Sequence, residues 1–303
     1  MKMLLFFSAF CFPLLLCAQE GKSTTDSIWV KPPSDQVLKN TPGLEHHTFE
    51  SEAMGTKVGF CVVLPKAYKS ESERRFPVVY WLHGGGGNES RDVWNSILWN
   101  ELAEADEIEP VILVYPNGHR SGYMDHADGK LNNETMIIRE LIPLIDQKFR
   151  TIPKREARAA HGFSMGSSGC LRFAIKYPDL FCSAVAYGGG AVDLASSKSQ
   201  FILDILERNL NSEPKRIRQF NTYQFLEANH ETVRKNGIEF LMVCGEIDSW
   251  MKSAETFQVA LRAKNLKSEL VGVPAVGHNY RKLHEMEGKR AAKFQDRVFQ
   301  AGK

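Results

Sequence analysis

Three residues of this 303-residue chain stand where nucleophilic catalysis would need them: Ser164, Asp248 and His278. Ser164 is the centre of Gly162-Phe163-Ser164-Met165-Gly166, a G-x-S-x-G pattern with an apolar approach before it and helix-compatible residues after it. A serine at a sharp strand-to-helix turn holds a strained backbone, and glycines two residues to either side remove side chains that would collide across the turn. Its hydroxyl is a weak nucleophile until a base takes the proton, and the base needs an acid to fix its tautomer and stabilise its charge. Asp248, in Gly245-Glu246-Ile247-Asp248-Ser249-Trp250, and His278, in Gly277-His278-Asn279-Tyr280, each follow an apolar run, so the order along the chain is serine, acid, histidine. Glu246 competes for the role of acid; Asp248 is favoured because it stands farther past its strand, where it can turn toward His278. His284, within the last helix, is the rival base.

Acyl transfer also needs backbone N–H donors aimed at the charge that develops on the substrate oxygen. Met165, the residue after the serine, supplies one by the geometry of such a turn. The second is expected from Gly84 or Gly85 in His83-Gly84-Gly85-Gly86-Gly87, where glycine lets the backbone approach a substrate closely. No Gly-Lys-Ser or Gly-Lys-Thr follows this loop, so it does not read as a phosphate cradle. Trp250, Tyr123 and Tyr280 adjoin the expected site and are candidates for substrate binding by stacking on a sugar or an aromatic acyl group. Asp125-His126-Ala127-Asp128 imitates a metal site, but no further ligands accompany it. The chemistry calls for no cofactor and no metal.

These residues need a frame. Strands are predicted over 47–53, 57–64, 76–82, 110–115, 155–161, 181–187, 238–244 and 268–273, with helices over 92–105, from 132 or 133 through 145, over 167–177, over 254–264 and at the C-terminal end. Alternating strands and helices, with near-continuous apolar strands such as Val78-Val79-Tyr80-Trp81-Leu82, imply a mostly parallel sheet covered on both faces. Residues 191–236 break the alternation with helical patterns over 201–210 and 216–235 and read as a small insertion or cap.

Lys and Arg total 38 against 36 Asp and Glu, so no charge argument points to nucleic acid or an anionic membrane. Residues 1–18 read as a signal peptide: Lys2 gives the positive start, and Met3 to Leu16 form an apolar core shorter than the about 20 residues that span a bilayer. Secretion or a periplasmic location follows, with lipid anchoring at Cys17 as a minor alternative. Residues 19–44 read as a polar, extended lead-in, and 45–303 as one catalytic domain. The remaining cysteines, Cys61, Cys170, Cys182 and Cys244, lie in apolar stretches and read as small buried side chains rather than a disulfide framework. Of the formal glycosylation sequons at Asn88 and Asn133, the first is expected to be unused because a glycan there would crowd the glycine loop.

Taken in order, Leu82-His83-Gly84-Gly85-Gly86, Tyr115-Pro116-Asn117-Gly118, Glu134-Thr135, the Ser164 pentapeptide, Tyr177-Pro178-Asp179-Leu180-Phe181, Gly245-x-x-Asp248 and Gly277-His278 resemble the esterase D-like family of esterases. That group has the α/β-hydrolase fold and includes feruloyl and acetylxylan esterases of carbohydrate esterase family 1, siderophore esterases, S-formylglutathione hydrolase and mycolyltransferases. The resemblance covers residues 45 to 300 and implies Ser164 as nucleophile, Asp248 as acid and His278 as base. Ser167 departs from it, since a second glycine is usual there. A serine esterase acting on small-molecule or polysaccharide esters, of feruloyl or acetyl xylan type, is what the resemblance implies. An acyltransferase or siderophore esterase on the same triad, or a silent carbohydrate-binding domain, are the alternatives.

Overall fold

A computed structural model describes residues 26–302. The predicted signal peptide lies outside the described residues. Eight strands form one sheet: β1 (Leu44–Ser51), β2 (Thr56–Val63), β3 (Val78–Leu82), β4 (Ile112–Pro116), β5 (Arg158–Phe163), β6 (Ser183–Tyr187), β7 (Glu239–Gly245) and β8 (Ser268–Val273). Their spatial order is β1-β2-β4-β3-β5-β6-β7-β8. The β1 and β2 hairpin is antiparallel and β2 joins β4 antiparallel, whereas β4, β3 and β5 through β8 run parallel. This is the open, mostly parallel sheet of an α/β-hydrolase.

Strand periodicity explains the apolar runs. Val78, Tyr80 and Leu82 of β3 enter one core while Val79 and Trp81 enter the other, because successive side chains point to opposite faces. The helices Met165–Lys176 and Thr222–Lys235 pack on the first face, and Ser96–Glu104 and Tyr280–Ala301 on the second. Buried on both sides, the inner strands β3 to β7 need no polar alternation, whereas the edge strand β1 alternates. Cys61, Cys170, Cys182 and Cys244 are buried free thiols.

Two expectations change. The described part of the lead-in is not simply extended: it carries helical turns Asp26–Trp29 and Asp35–Asn40, the second capped by the Ser34 hydroxyl accepting from Val37 N–H, and Trp29 is buried in the core. The helical pattern over 216–235 is two helices, Pro214–Phe220 and Thr222–Lys235. Asn221 separates them with an extended backbone, and its side chain accepts from Tyr223 N–H to cap the second helix.

The chain leaves β3 toward β4 on one side and returns to β5 on the other. In such sheets the crevice beyond the carboxyl ends of the strands at this reversal is where ligands bind. Leu82 and Phe163 end β3 and β5 there, side by side. The approach is tighter than any side chain allows: a Cβ on Gly166 would lie 1.9 Å from the Leu82 carbonyl oxygen, and one on Gly162 would lie 2.3 Å from the Gly166 carbonyl oxygen. Gly86, in the loop after β3, has nothing within 4 Å of such a carbon. Gly162→Ala and Gly166→Ala are therefore expected to cost about 3 kcal/mol or more in urea unfolding, and Gly86→Ala within about 0.5 kcal/mol. Equal effects at all three positions would refute the contact.

Three buried histidines set a second expectation. Burial pushes His83, His161 and His284 down to about 4 from an ordinary 6.5, so the folded chain holds them neutral. Above pH 6.5 both folded and unfolded chains keep them neutral and stability is at its full value. As pH falls from 6.5 toward 4 the unfolded chain takes up protons that the folded chain refuses, so stability declines through that window and levels off below it. The urea midpoint should fall across this range, and a flat midpoint would contradict the burial argument.

Candidate active site

Ser164 sits between β5 and the helix Met165–Lys176 with φ 55° and ψ −113°. That left-handed region is strained for any residue with a side chain, by about 1–3 kcal/mol, and persists only where the surroundings hold it. Here Ser164 N–H donates to the Tyr187 carbonyl at 2.8 Å, and the Ser164 carbonyl accepts from Ser167 N–H at 3.0 Å. Both backbone groups are thus fixed while the hydroxyl faces outward. Ser167 fits without the second glycine: it is buried, and its hydroxyl donates to the Gly189 carbonyl at 3.2 Å.

The loops after β7 and β8 bring the other two residues to that hydroxyl. His278 Nε2 lies 2.8 Å from Ser164 Oγ, and His278 Nδ1 lies 2.8 Å from Asp248 Oδ2. A carboxylate only accepts, so Nδ1 carries the proton and Nε2 is left to accept from the serine. The Asp248 side chain is fully buried and its Oδ1 accepts from Trp250 N–H at 2.9 Å, whereas the His278 side chain is 35% exposed, open to water on one edge. Phe163 stacks on the imidazole at 4.8 Å between centroids and limits its rotation. The rivals lie elsewhere: the His284 ring is packed against Trp94 and Tyr280, and the Glu246 side chain lies against Gly272.

The glycine loop after β3 is held from below by His83. This ring is buried; its Nε2 accepts from Gly118 N–H at 2.9 Å and its Nδ1 donates to the Gly84 carbonyl at 2.7 Å. The Gly84 carbonyl also accepts from Gly87 N–H at 2.9 Å. Because the peptide is planar and trans, turning that carbonyl inward turns Gly85 N–H the opposite way. Of the two expected donors, this arrangement favours Gly85 over Gly84. Met165 begins its helix, where an N–H has no partner within the helix.

A cleft of about 780 Å³ opens over Ser164 and His278, bounded by the glycine loop, Trp94, Phe163, Phe201, Trp250 and Tyr280. Beside Ser164 lies a recess of about 20 Å³ lined by Met165, Ser167, Gly188 to Gly190 and Val192. Ser164, Phe201 and Trp250 border both. Tyr280 contributes to the cleft floor, but its hydroxyl accepts from Asn95 Nδ2 and its ring lies among Trp81, Trp94, Phe163 and Tyr187. Tyr123 is a correction: it is fully buried, and its hydroxyl donates to the His83 carbonyl at 2.9 Å, so it supports the glycine loop rather than meeting a substrate. The chain turns inward there at φ 57°, which sequence spacing did not signal. Asp125 is occupied in capping, its carboxylate accepting from Thr135 N–H and Oγ1. Asn133 is buried, out of reach of any glycan on the folded chain.

The family model described as "Putative esterase" matches residues 51–300. An esterase of Mycobacterium tuberculosis strain H37Rv is 34% identical over 178 residues, covering 57% of this chain and 37% of that protein. An endo-1,4-beta-xylanase/feruloyl esterase of Xylanibacter ruminicola is 31% identical over 154 residues, covering 47% of this chain and 21% of that protein. The chain thus spans well under half the length of these curated relatives. Among solved structures, a ferulic acid esterase superposes with a TM-score of 0.71 at 22% identity, over 84% of this chain and 98% of that one. An S-formylglutathione hydrolase from Agrobacterium tumefaciens gives 0.70 at 20% identity, over 84% and 95% respectively. At these identities the structural likeness is one of fold. The family match extends from the last residue of β1 to the last helix, and the chain belongs to this family of esterases.

Proposed function

We propose that this chain is a secreted serine carboxylic-ester hydrolase acting on acyl esters of carbohydrates, with Ser164, His278 and Asp248 as its catalytic triad. The observation that carries the reading is the unbroken chain of 2.8 Å contacts from buried Asp248 through His278 to Ser164 Oγ. In the proposed reaction Oγ attacks the ester carbonyl carbon while His278 Nε2 takes the hydroxyl proton. Met165 N–H and Gly85 N–H receive the oxyanion. Collapse breaks the bond from carbonyl carbon to alcohol oxygen, and His278 returns the proton to the departing alcohol. A water molecule, deprotonated by the same nitrogen, then attacks the acyl-enzyme; the acid leaves and Oγ recovers its proton.

The carbohydrate side of the reading is supported by the volume of the cleft, about 780 Å³, and by Trp250 on its wall, a flat face on which a sugar or an aromatic acid can lie. Phe201 comes from the helix Gln200–Leu210, which supports a capping role for the 191–236 insertion. Secretion rests on the Lys2-led apolar segment alone. Among the described residues no helix is long and apolar enough to cross a membrane.

Ser164→Ala should lower kcat for 4-nitrophenyl acetate by about 10⁴-fold or more and abolish labelling by a fluorophosphonate, with the circular-dichroism spectrum unchanged. Full activity in that variant would overturn the proposal. His83→Ala should lower kcat by about 10²-fold with little change in KM, as the loss of an aligned oxyanion donor does. Acetyl and feruloyl sugar esters compared side by side decide the acyl preference.

A further inference from the structure

Three guanidinium groups line the cleft: Arg91, Arg120 and Arg281. Among the described residues none of them forms an ion pair with a carboxylate, whereas Arg74, Arg158, Arg172 and Arg297 elsewhere each do. Two of the three rest on aromatic faces of the same cleft. Arg281 Cζ lies 4.3 Å from the Trp94 ring centroid, and Arg120 Cζ lies 5.8 Å from that of Phe201. Stacking of this kind orders a long side chain while leaving its N–H fork free. Exposed arginines are ordinarily solvated; three of them without carboxylate partners around one mouth form a patch of one sign.

The acids of the cleft do not offset this charge. Asp92 is turned inward, its carboxylate accepting from Trp81 Nε1 at 3.0 Å, and its burial disfavours the ionised form, outweighing the opposing pull of Trp81 and of the adjacent Arg91. Asp248 is sealed behind His278. The positive field is felt by neighbouring histidines: after burial, Arg208 and Arg120 are the next largest causes lowering His119, and Arg281 is the next largest lowering His284.

The two cavities at Ser164 assign the halves of an ester. The general acid must deliver its proton to the leaving oxygen, so the alcohol lies on the side that His278 lines. His278 lines the cleft and not the recess. A recess of about 20 Å³ has room for about one water or methyl group and therefore takes a short acyl chain. We infer that the preferred substrate is an ester of acetyl size whose alcohol portion carries an anionic oxygen group (carboxylate, sulfate or phosphate) held by Arg91, Arg120 and Arg281. The inference rests on the esterase reading above and adds the sign of charge and the side that bears it.

The test compares 4-nitrophenyl acetate with 3-carboxy-4-nitrophenyl acetate, each kcat/KM divided by the hydroxide rate constant of that ester to remove intrinsic reactivity. The unsubstituted protein should favour the carboxylated ester by about tenfold, and added salt should shrink the preference. The triple substitution Arg91→Gln, Arg120→Gln and Arg281→Gln should bring the ratio to about one, mainly through KM of the carboxylated ester. A ratio at or below one in the unsubstituted protein, or one that the triple substitution leaves unmoved, overturns the inference. If neither ester is hydrolysed and Ser164 takes no fluorophosphonate label, the esterase reading fails by itself. The anion site is then decided by calorimetry with isophthalate: binding that the triple substitution removes supports it, and no binding overturns it. Competition by isophthalate, inorganic sulfate and inorganic phosphate ranks the three oxyanions.

Discussion

The structure depends on backbone meeting backbone at the carboxyl edge of the sheet. At Gly166 a Cβ would lie 1.9 Å from the Leu82 carbonyl oxygen, and at Gly245 one would lie 1.9 Å from the Val276 carbonyl oxygen. The first contact presses the start of the serine helix against the end of β3, so the glycine loop and Met165 N–H necessarily lie together. The second presses the end of β7 against the turn beyond β8, so Asp248 and His278 necessarily meet. Neither contact tolerates even a methyl group, and native packing offers no slack in which to make one. The loops that carry the constellation are thus pinned to the strand ends by backbone contact, and side-chain hydrogen bonds finish what the backbone places.

Legibility in the sequence follows the same division. The inner strands were readable because burial on both faces leaves long apolar runs; the half-buried edge strand β8 also matches the predicted 268–273 at both ends. Ser164, Asp248 and His278 were readable because a local pattern and chain order specify them. Tyr123 was not: its inward turn depends on Gly118 and Gly169, which lie against its ring from two different segments. Nor were the cleft arginines, because Arg91 and Arg120 come from two loops and Arg281 from the start of the last helix, far apart in the chain, and each alone reads as an ordinary surface residue. The break at Asn221 was missed because helical periodicity runs through it, while the cap that ends it is a single side-chain bond. Sequence reveals what is local or periodic; it conceals convergence.

Charge separates the two halves of the site. Asp248 lies wholly out of solvent with both carboxylate oxygens engaged, a buried group compensated by hydrogen bonds. Truncating either partner would strand the other, so the dyad is held as a unit. The cleft arginines face water and exact no such penalty. A change of charge at these arginines would leave the arrangement around Ser164 undisturbed, so the proposed selectivity and the proposed chemistry rest on different residues.

The antiparallel edge of the sheet serves the same loop. Glu89, two residues beyond the glycine run, is fully buried; it accepts from Lys31 N–H, from Asn117 Nδ2 at 2.7 Å, and contacts His46 Nε2 at 3.3 Å. A buried carboxylate with too few partners would be costly, so the lead-in segment and β1 are needed to complete its shell. Asn117 in turn accepts, through its carbonyl, from Asn133 Nδ2, and the adjoining Gly118 N–H donates to His83. The lead-in, β1, the turn after β4 and the glycine loop are therefore joined through polar groups that converge on the buried Glu89 and Asn117. Such networks are stable only when complete, so the described residues before β1 belong to the support of the glycine loop even though none of those described approaches Ser164.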